Sequence, residues 1–291
     1  METRNERTKQ CGRAAVAAAV VALSAAALSA CGGGGKDGLQ AAGASANSAG
    51  GAASIKVEGQ SMALSSELTT VSIVTPPVTW KADGSFPQGP FWLSGRGYPV
   101  STLKAHAPGA YTTLPWGTEA LSLSRGSVTD MAGNGQFAIG RWTDGSDSAG
   151  HSYNANQGQV WAVGAPVNVA VPWTGFTCTL VAATRPTSSD GNTLPGVLKS
   201  ATATVAGARD ARGVVQNTVS LTMQYSIGSD LNQAFADRVP LGMIAASRLS
   251  RSSLSTTFLG PDASKPYLVV SYGAHAPTAG LINGLAVLSC S

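Results

Sequence analysis

The stretch that most limits what this chain can become runs from Val215 to Ile227. Val215, Val219, Leu221, Met223, Tyr225 and Ile227 alternate with Gln216, Thr218, Ser220, Thr222, Gln224 and Ser226, and Asn217 alone breaks the pattern. Successive side chains of a strand point to opposite faces, so this spelling gives one apolar and one polar face. A helix would scatter the same apolar positions around its circumference. Shorter runs share the character. Phe176, Cys178, Leu180 and Ala182 alternate with Thr177 and Thr179, and β-like runs cover Val197–Val205, Leu241–Ser247, Leu254–Leu259, Tyr267–Tyr272 and Leu281–Leu288. Turn-rich segments separate them at Arg185–Pro195, Gly207–Gly213, Gly228–Pro240, Gly260–Pro266 and Gly273–Gly280. With Val160–Gly164 added, about eight strands are expected in antiparallel meander order, a number that closes a small barrel.

Charged residues make up 12% of the 291 residues, about half the usual share, while Gly, Ser, Thr and Ala abound. That composition suits exposed sheet with many turns and disfavours long helices. Residues 55–158 differ in character from the C-terminal part of the chain. All six tryptophans precede residue 175, Pro and Gly are frequent, and alternation is visible at Leu121/Leu123 and around Phe137–Trp142. The expected fold is therefore all-β, with a smaller β-rich domain over 55–158 and an antiparallel barrel domain over 159–291.

The start of the chain has a different logic. Arg4, Arg7, Lys9 and Arg13 precede an apolar run from Ala14 to Ala30, the order of a secretory signal. The run is short and Ala-rich for a spanning helix. It ends in Leu28-Ser29-Ala30-Cys31, which resembles a bacterial lipobox. That resemblance implies cleavage after residue 30 and a diacylglycerol on Cys31, with a further acyl chain on its amine. Two or three chains anchor stably where one would not, since each buried methylene contributes roughly 0.8 kcal/mol. The alternative is ordinary cleavage beside a chance cysteine. Gly32–Gly35 and the Gly/Ala/Ser-rich stretch to Ser54 then form a flexible tether over 31–54. Gly32 after the cysteine, rather than Asp, implies transit to the outer membrane by the same resemblance. Removing the four basic and two acidic residues of 1–30 leaves 15 Lys/Arg against 13 Asp/Glu, a net of +2, with no basic run. Nucleic acid is not an expected partner.

Of the four cysteines, Cys11 leaves with the signal and Cys31 takes the lipid. Cys178 and Cys290 remain in a chain bound for an oxidising compartment, and a disulfide between them is expected, with two separate buried thiols as the alternative. In a closed meander the first and last strands become neighbours, so this pair would clasp the closure.

From Gly175 onward the order of features resembles the β-barrel module of transferrin-binding protein B-type surface lipoproteins. The residues that carry the resemblance are Phe176-Thr-Cys-Thr-Leu-Val181, Thr184-Arg-Pro-Thr187, Thr256-Thr-Phe-Leu-Gly-Pro-Asp-Ala263 and Gly284-Leu-Ala-Val-Leu288, with Gly135–Trp142 as a strand leading in. It covers 130 to 150 residues and implies an eight-stranded barrel on a surface lipoprotein. Its motifs are structural turns, so no ligand and no binding residue are carried over, and the chain is too short for a two-lobed receptor.

Chemistry is sparse. His106, His151 and His275 form no zinc spacing and no Cys-x-x-Cys occurs, so neither metal nor cofactor is expected. Ser101-Thr-Leu-Lys104 fits Ser-x-x-Lys, but Pro99 and Pro108 flank it and no Lys-Thr-Gly follows. Gly133-Asn-Gly135 before a strand-like run spells a hairpin turn rather than a phosphate loop. Asp144, Asp147 and Asn154 match no calcium loop and are expected in solvated turns. Trp92, Arg141 and Trp142 are the expected ligand surface, because Trp and Arg dominate binding hot spots. The expected role is non-catalytic binding of a protein or small ligand at the outer membrane. A structural or assembly lipoprotein is the alternative, and an envelope hydrolase the second.

Overall fold

The computed structural model describes residues 54–76, 94–209, 213–242, 244–247 and 252–291. The expected signal, Cys31 and its tether, and Trp80, Phe91 and Trp92 lie outside the described residues. Those described form strands and turns, with one short 3-10 turn at Val100–Thr102.

Nine strands make the first sheet: β1 (Ile55–Gly59), β2 (Thr70–Val74), β3 (Gly95–Pro99), β4 (Lys104–Ala107), β5 (Ala110–Trp116), β6 (Glu119–Gly133), β7 (Phe137–Asp147), β8 (Ser152–Tyr153) and β9 (Gln159–Gly164). They hydrogen-bond in the order β3-β2-β9-β7-β6-β5-β4, with β8 on β7 and β1 running parallel to β6. The second sheet contains β10 (Phe176–Ala183), β11 (Thr187–Ser188), β12 (Val197–Arg209), β13 (Val215–Ile227), β14 (Asp230–Pro240), β15 (Ile244–Ser247), β16 (Ser252–Leu259), β17 (Tyr267–Ala276) and β18 (Gly280–Cys290). Its order is β14-β13-β12-β10-β18-β17-β16-β15, a nearly closed antiparallel barrel.

Two sequence expectations are corrected. Val160–Gly164 does not begin the barrel; β9 pairs with β2 and β7, so the chain changes sheet after Gly164. Gly228–Pro240 is not mainly turn; Asp230–Pro240 is a full strand against β13.

The alternation in β13 has the predicted consequence. Val219, Leu221, Met223, Tyr225 and Ile227 are buried, while Ser220, Thr222 and Gln224 face outward. Inside the barrel Val219, Leu221 and Met223 meet Phe176, Ala201, Ala203, Val205, Leu254, Phe258, Leu268, Val270 and Tyr272, while Tyr225 and Ile227 pack with Ala274, Ala276, Ala279 and Ile282. Each large apolar side chain taken out of water contributes about 1.5–3 kcal/mol. Small and large residues interleave, so the barrel interior is occupied by its own side chains, as in small barrels generally.

The first and last barrel strands are neighbours, as closure requires. Cys178 and Cys290 are directly opposed and disulfide-bonded, their Cα atoms 4.0 Å apart. The sheet order instead ends on β14 and β15. There an inward-facing carboxylate, Asp237, accepts a 3.0 Å hydrogen bond from the Ser252 hydroxyl across the gap. A short end strand and an inward charge are both devices that blunt a sheet edge.

The two sheets share a core. Residues of alternate parity on β7 and β9 face opposite ways: Ala138, Trp142, Trp161 and Val163 enter the core of the first sheet. Phe137, Ile139, Val160 and Ala162 meet Leu259, Val269, Leu285 and Val287 of the barrel. Within the first core Gly140 lies directly opposite Trp161, and a Cβ there would sit 2.5 Å from the indole. Glycine makes room for the ring. Gly140→Val is expected to cost about 1–3 kcal/mol by overpacking, read as a lower urea midpoint with a changed tryptophan emission.

Candidate functional site

The sheet-to-sheet interface changes character toward one edge. On β16, Leu254 and Phe258 point into the barrel, so Ser255, Thr257 and Leu259 point outward to the first sheet. Leu259 joins the shared apolar core, but Ser255 and Thr257 carry hydroxyls into the same interface. The facing strand does likewise. On β2, Val71 and Ile73 enter the first core, and Ser72 shares the opposite face with Val74. Hydroxyls weaken an interface built only for stability, because each needs a partner once water leaves.

Here the sheets part into a hollow of about 450 Å³. Ser72 and Val74 line one side, Ser255, Thr256 and Thr257 the other, and Ser94, Gly95, Arg96 and Gly242 the rim. The Arg96 guanidinium reaches across, its Nη2 donating to Thr257 Oγ1 at 2.6 Å. The Ser94 hydroxyl is held by Thr75, accepting from its N–H at 3.0 Å and donating to its carbonyl at 3.3 Å. Gly242 N–H donates to the Thr256 carbonyl at 3.1 Å. The Ser72 hydroxyl is buried and has no hydrogen-bond partner among the described residues. No carboxylate appears among the described lining residues, and none of them pairs with Arg96. The hollow thus mixes hydroxyls with the apolar Ile73 and Val74, and Arg96 is the one cation among its described lining residues. Its volume falls in the range of small-molecule sites, which favour junctions between packed layers.

The expected ligand surface is corrected. Trp142 is fully buried in the first core, its indole N–H donating to the Tyr111 carbonyl at 2.7 Å. Arg141 is 1% exposed and lies in the contact with the barrel, its Nε 2.8 Å from Asp130 Oδ2. Neither can touch a ligand from solution. The cause is the central place of β7, which is covered on both faces. Trp92 lies outside the described residues. Trp173, by contrast, is 86% exposed in the turn before β10.

Other polar constellations hold turns. Asp147 accepts hydrogen bonds from the N–H groups of Ala149 and His151, from His151 Nδ1 at 2.8 Å and from the Tyr153 hydroxyl. Burial, the bond to Asp147 and its charge all push the Tyr153 phenol well above its ordinary value. This knot closes the β7–β8 connection. Asn134 caps the β6–β7 hairpin, its Oδ1 accepting from Gln136 N–H at 3.1 Å, so Gly133-Asn-Gly135 is a hairpin turn as read. Ser101 lies in the 3-10 turn and Lys104 opens β4, so the Ser-x-x-Lys spacing is not on a helix. Among the described residues no three His, Cys, Asp or Glu side chains gather as a metal site.

Asp230 holds the opposite barrel end. It accepts from Thr278 N–H at 2.9 Å, Thr278 Oγ1 at 2.7 Å and Ala279 N–H at 2.9 Å. Burial works to raise its pKa, but the Ala279 and Thr278 donors outweigh it and hold the carboxyl below its ordinary value. A depressed carboxyl contributes stability that is present above the unfolded value and lost as pH falls through the folded one. Acidification below about pH 4 is therefore expected to loosen the β17–β18 turn first. Amide exchange at Thr278 and Ala279 checks this, and Asp230→Asn should remove the pH dependence.

Compared with protein-family models, curated proteins and solved structures, the chain matches none. What stands beyond the sequence likeness is an all-β architecture with a nearly closed barrel-like sheet.

Proposed function

We propose that this chain is an exported lipoprotein, acylated at Cys31 and held at the outer membrane, whose β-domain binds a ligand without catalysing a reaction. The observation that carries the binding role is the polar hollow between β2, β3 and β16. The barrel interior is packed with its own side chains, among them Phe176, Met223, Phe258 and Tyr272. An interface that abandons apolar packing for hydroxyls, beside an arginine with no carboxylate partner among the described residues, loses stability there. Recognition is a reason to keep it. The lipobox-like Leu28-Ser29-Ala30-Cys31, the Gly-rich tether and the resemblance to surface-lipoprotein barrels support the location. The filled barrel and the scarcity of catalytic spacings support a role in binding.

An assembly role is the second reading. Leu194, Val197 and Leu231 are exposed aliphatic residues on the barrel, and such residues suit contact with another envelope protein.

Two measurements test the leading reading. Cells grown with an alkyne-tagged palmitate should label the wild-type chain in the outer-membrane fraction and leave Cys31→Ser unlabelled. Envelope extract passed over the immobilised chain should yield a bound component that is lost with Thr257→Val. Labelling without any hollow-dependent component would favour the assembly role.

A further inference from the structure

We infer that the hollow recognises a small polyhydroxylated acid through its carboxylate, a uronic-acid type of ligand, with Arg96 as the anchoring cation. The inference rests on the binding role proposed above and names the ligand class for that same site.

Charge narrows the ligand first. Arg96 is an exposed guanidinium at the rim, and no carboxylate among the described residues neutralises it. A guanidinium carries five N–H donors and no acceptor. One is committed to Thr257 Oγ1 at 2.6 Å, which fixes the side chain across the mouth. A planar fork held in place is suited to a carboxylate, which it can meet with two parallel hydrogen bonds. Preorganisation also lowers the cost of ordering on binding.

The charge count selects a carboxylate over a phosphate. One cation matches one negative charge. A phosphate dianion calls for a second cation or a cluster of N–H groups at a helix start. The described lining residues include no second cation, and the one helical turn among the described residues, Val100–Thr102, has three residues.

The remaining lining selects hydroxyls on the ligand. Beyond Arg96, the sides offer the Ser255 hydroxyl and the Thr257 hydroxyl, the latter still able to donate while its oxygen accepts from Arg96. The hydroxyls of a sugar acid can accept from both, which an apolar chain cannot do. With Arg96 at the rim and no carboxylate among the described lining residues, the hollow also disfavours amines and metal cations. Ser72 lines the same hollow and is 1% exposed. Its unpartnered hydroxyl marks the floor of a site whose polar character continues inward.

The test uses the full chain in detergent, titrated calorimetrically with D-glucuronate, D-glucose and inorganic phosphate. Wild type is compared with Arg96→Gln and with Arg238→Gln, the latter on the outer barrel wall. Saturable glucuronate binding is expected, weakened at least about ten-fold by Arg96→Gln and unchanged by Arg238→Gln, with glucose and phosphate far weaker. Near-UV circular dichroism should be the same for all three proteins. The inference is overturned by no saturable glucuronate binding, by equal binding of Arg96→Gln, or by phosphate binding in preference. If glucuronate fails while an extract component still depends on Thr257, only the ligand class falls. If both fail, the binding role falls with it.

Discussion

Replacing Cys178 and Cys290 together with alanine is expected to lower the unfolding free energy by about 5 kcal/mol. The bond joins residues 112 apart, and closing a loop of that length removes roughly 4.7 kcal/mol of chain entropy from the unfolded ensemble. Its site adds to the effect. Thr177 and Ser291 exchange two hydrogen bonds of 3.0 Å, so the adjacent cysteines form a non-hydrogen-bonded pair, where facing side chains lie closest. Both sulfurs are buried against Phe176, Ala203 and Leu288. A small domain typically holds about 5–15 kcal/mol in total, so a loss of this size brings the barrel near its limit. Urea titration of the alanine double variant and of reduced wild type separates two contributions. Reduction keeps the sulfur volume and removes only the link, whereas alanine also leaves a cavity. The expected order of midpoints is oxidised wild type, reduced wild type, then the double variant. Coincident midpoints for all three would mean that strand pairing alone holds β10 to β18.

Much of the barrel was legible in sequence because its strands have one wet face. β13 shows this plainly, with its apolar parity buried and its hydroxyl parity exposed. The adjacent β14 was not legible, because Asp237 points inward while Ala234 and Ala236 point outward, which erases the period of two. Strands of the first sheet were legible as strands, but their burial on both faces was not. β7 and β9 are covered on both faces, so Phe137-Ala-Ile-Gly-Arg-Trp142 and Val160-Trp-Ala-Val163 spell continuous runs. Such a run is the signature of a doubly buried strand. Read that way, it would have placed Arg141 and Trp142 in the interior. The hollow had no sequence signal at all. Ser72, Arg96 and Thr257 come together only through the packing of two sheets, and single serines and threonines carry no weight in a chain so rich in them.

Asp130→Ala is expected to cost about 3–5 kcal/mol, because it strands a buried arginine. The carboxylate is 4% exposed and receives Arg141 Nε at 2.8 Å from the first sheet and Arg185 Nε at 2.6 Å from the segment after β10. Arg185 N–H adds a further bond of 3.1 Å. Arg141 is otherwise satisfied only through Nη1, by Thr143 Oγ1 and the carbonyls of Ala155 and Gln157. Removing Asp130 therefore leaves a positive charge in the contact between the sheets with no counter-ion. Backbone geometry supplies the control. Asp130 sits at φ 55°, where β6 shifts register against β7 between Thr129 and Ala132. This bulge swings the carboxylate toward both arginines. A non-glycine residue in that region carries a penalty of about 1–2 kcal/mol, which glycine escapes. Asp130→Gly thus loses the carboxylate but gains backbone ease, and it should be less damaging than Asp130→Ala by about that amount. Arg141→Met, combined with Asp130→Ala, should cost less than the sum of the single changes, since no buried charge is then left alone. Urea titrations of the four variants, followed by tryptophan emission for the first sheet and amide exchange for the barrel, read both magnitude and cooperativity. Additive costs, with both sheets still unfolding together, would show that the apolar contact through Phe137, Ile139 and Val287 couples them without help from the ion cluster.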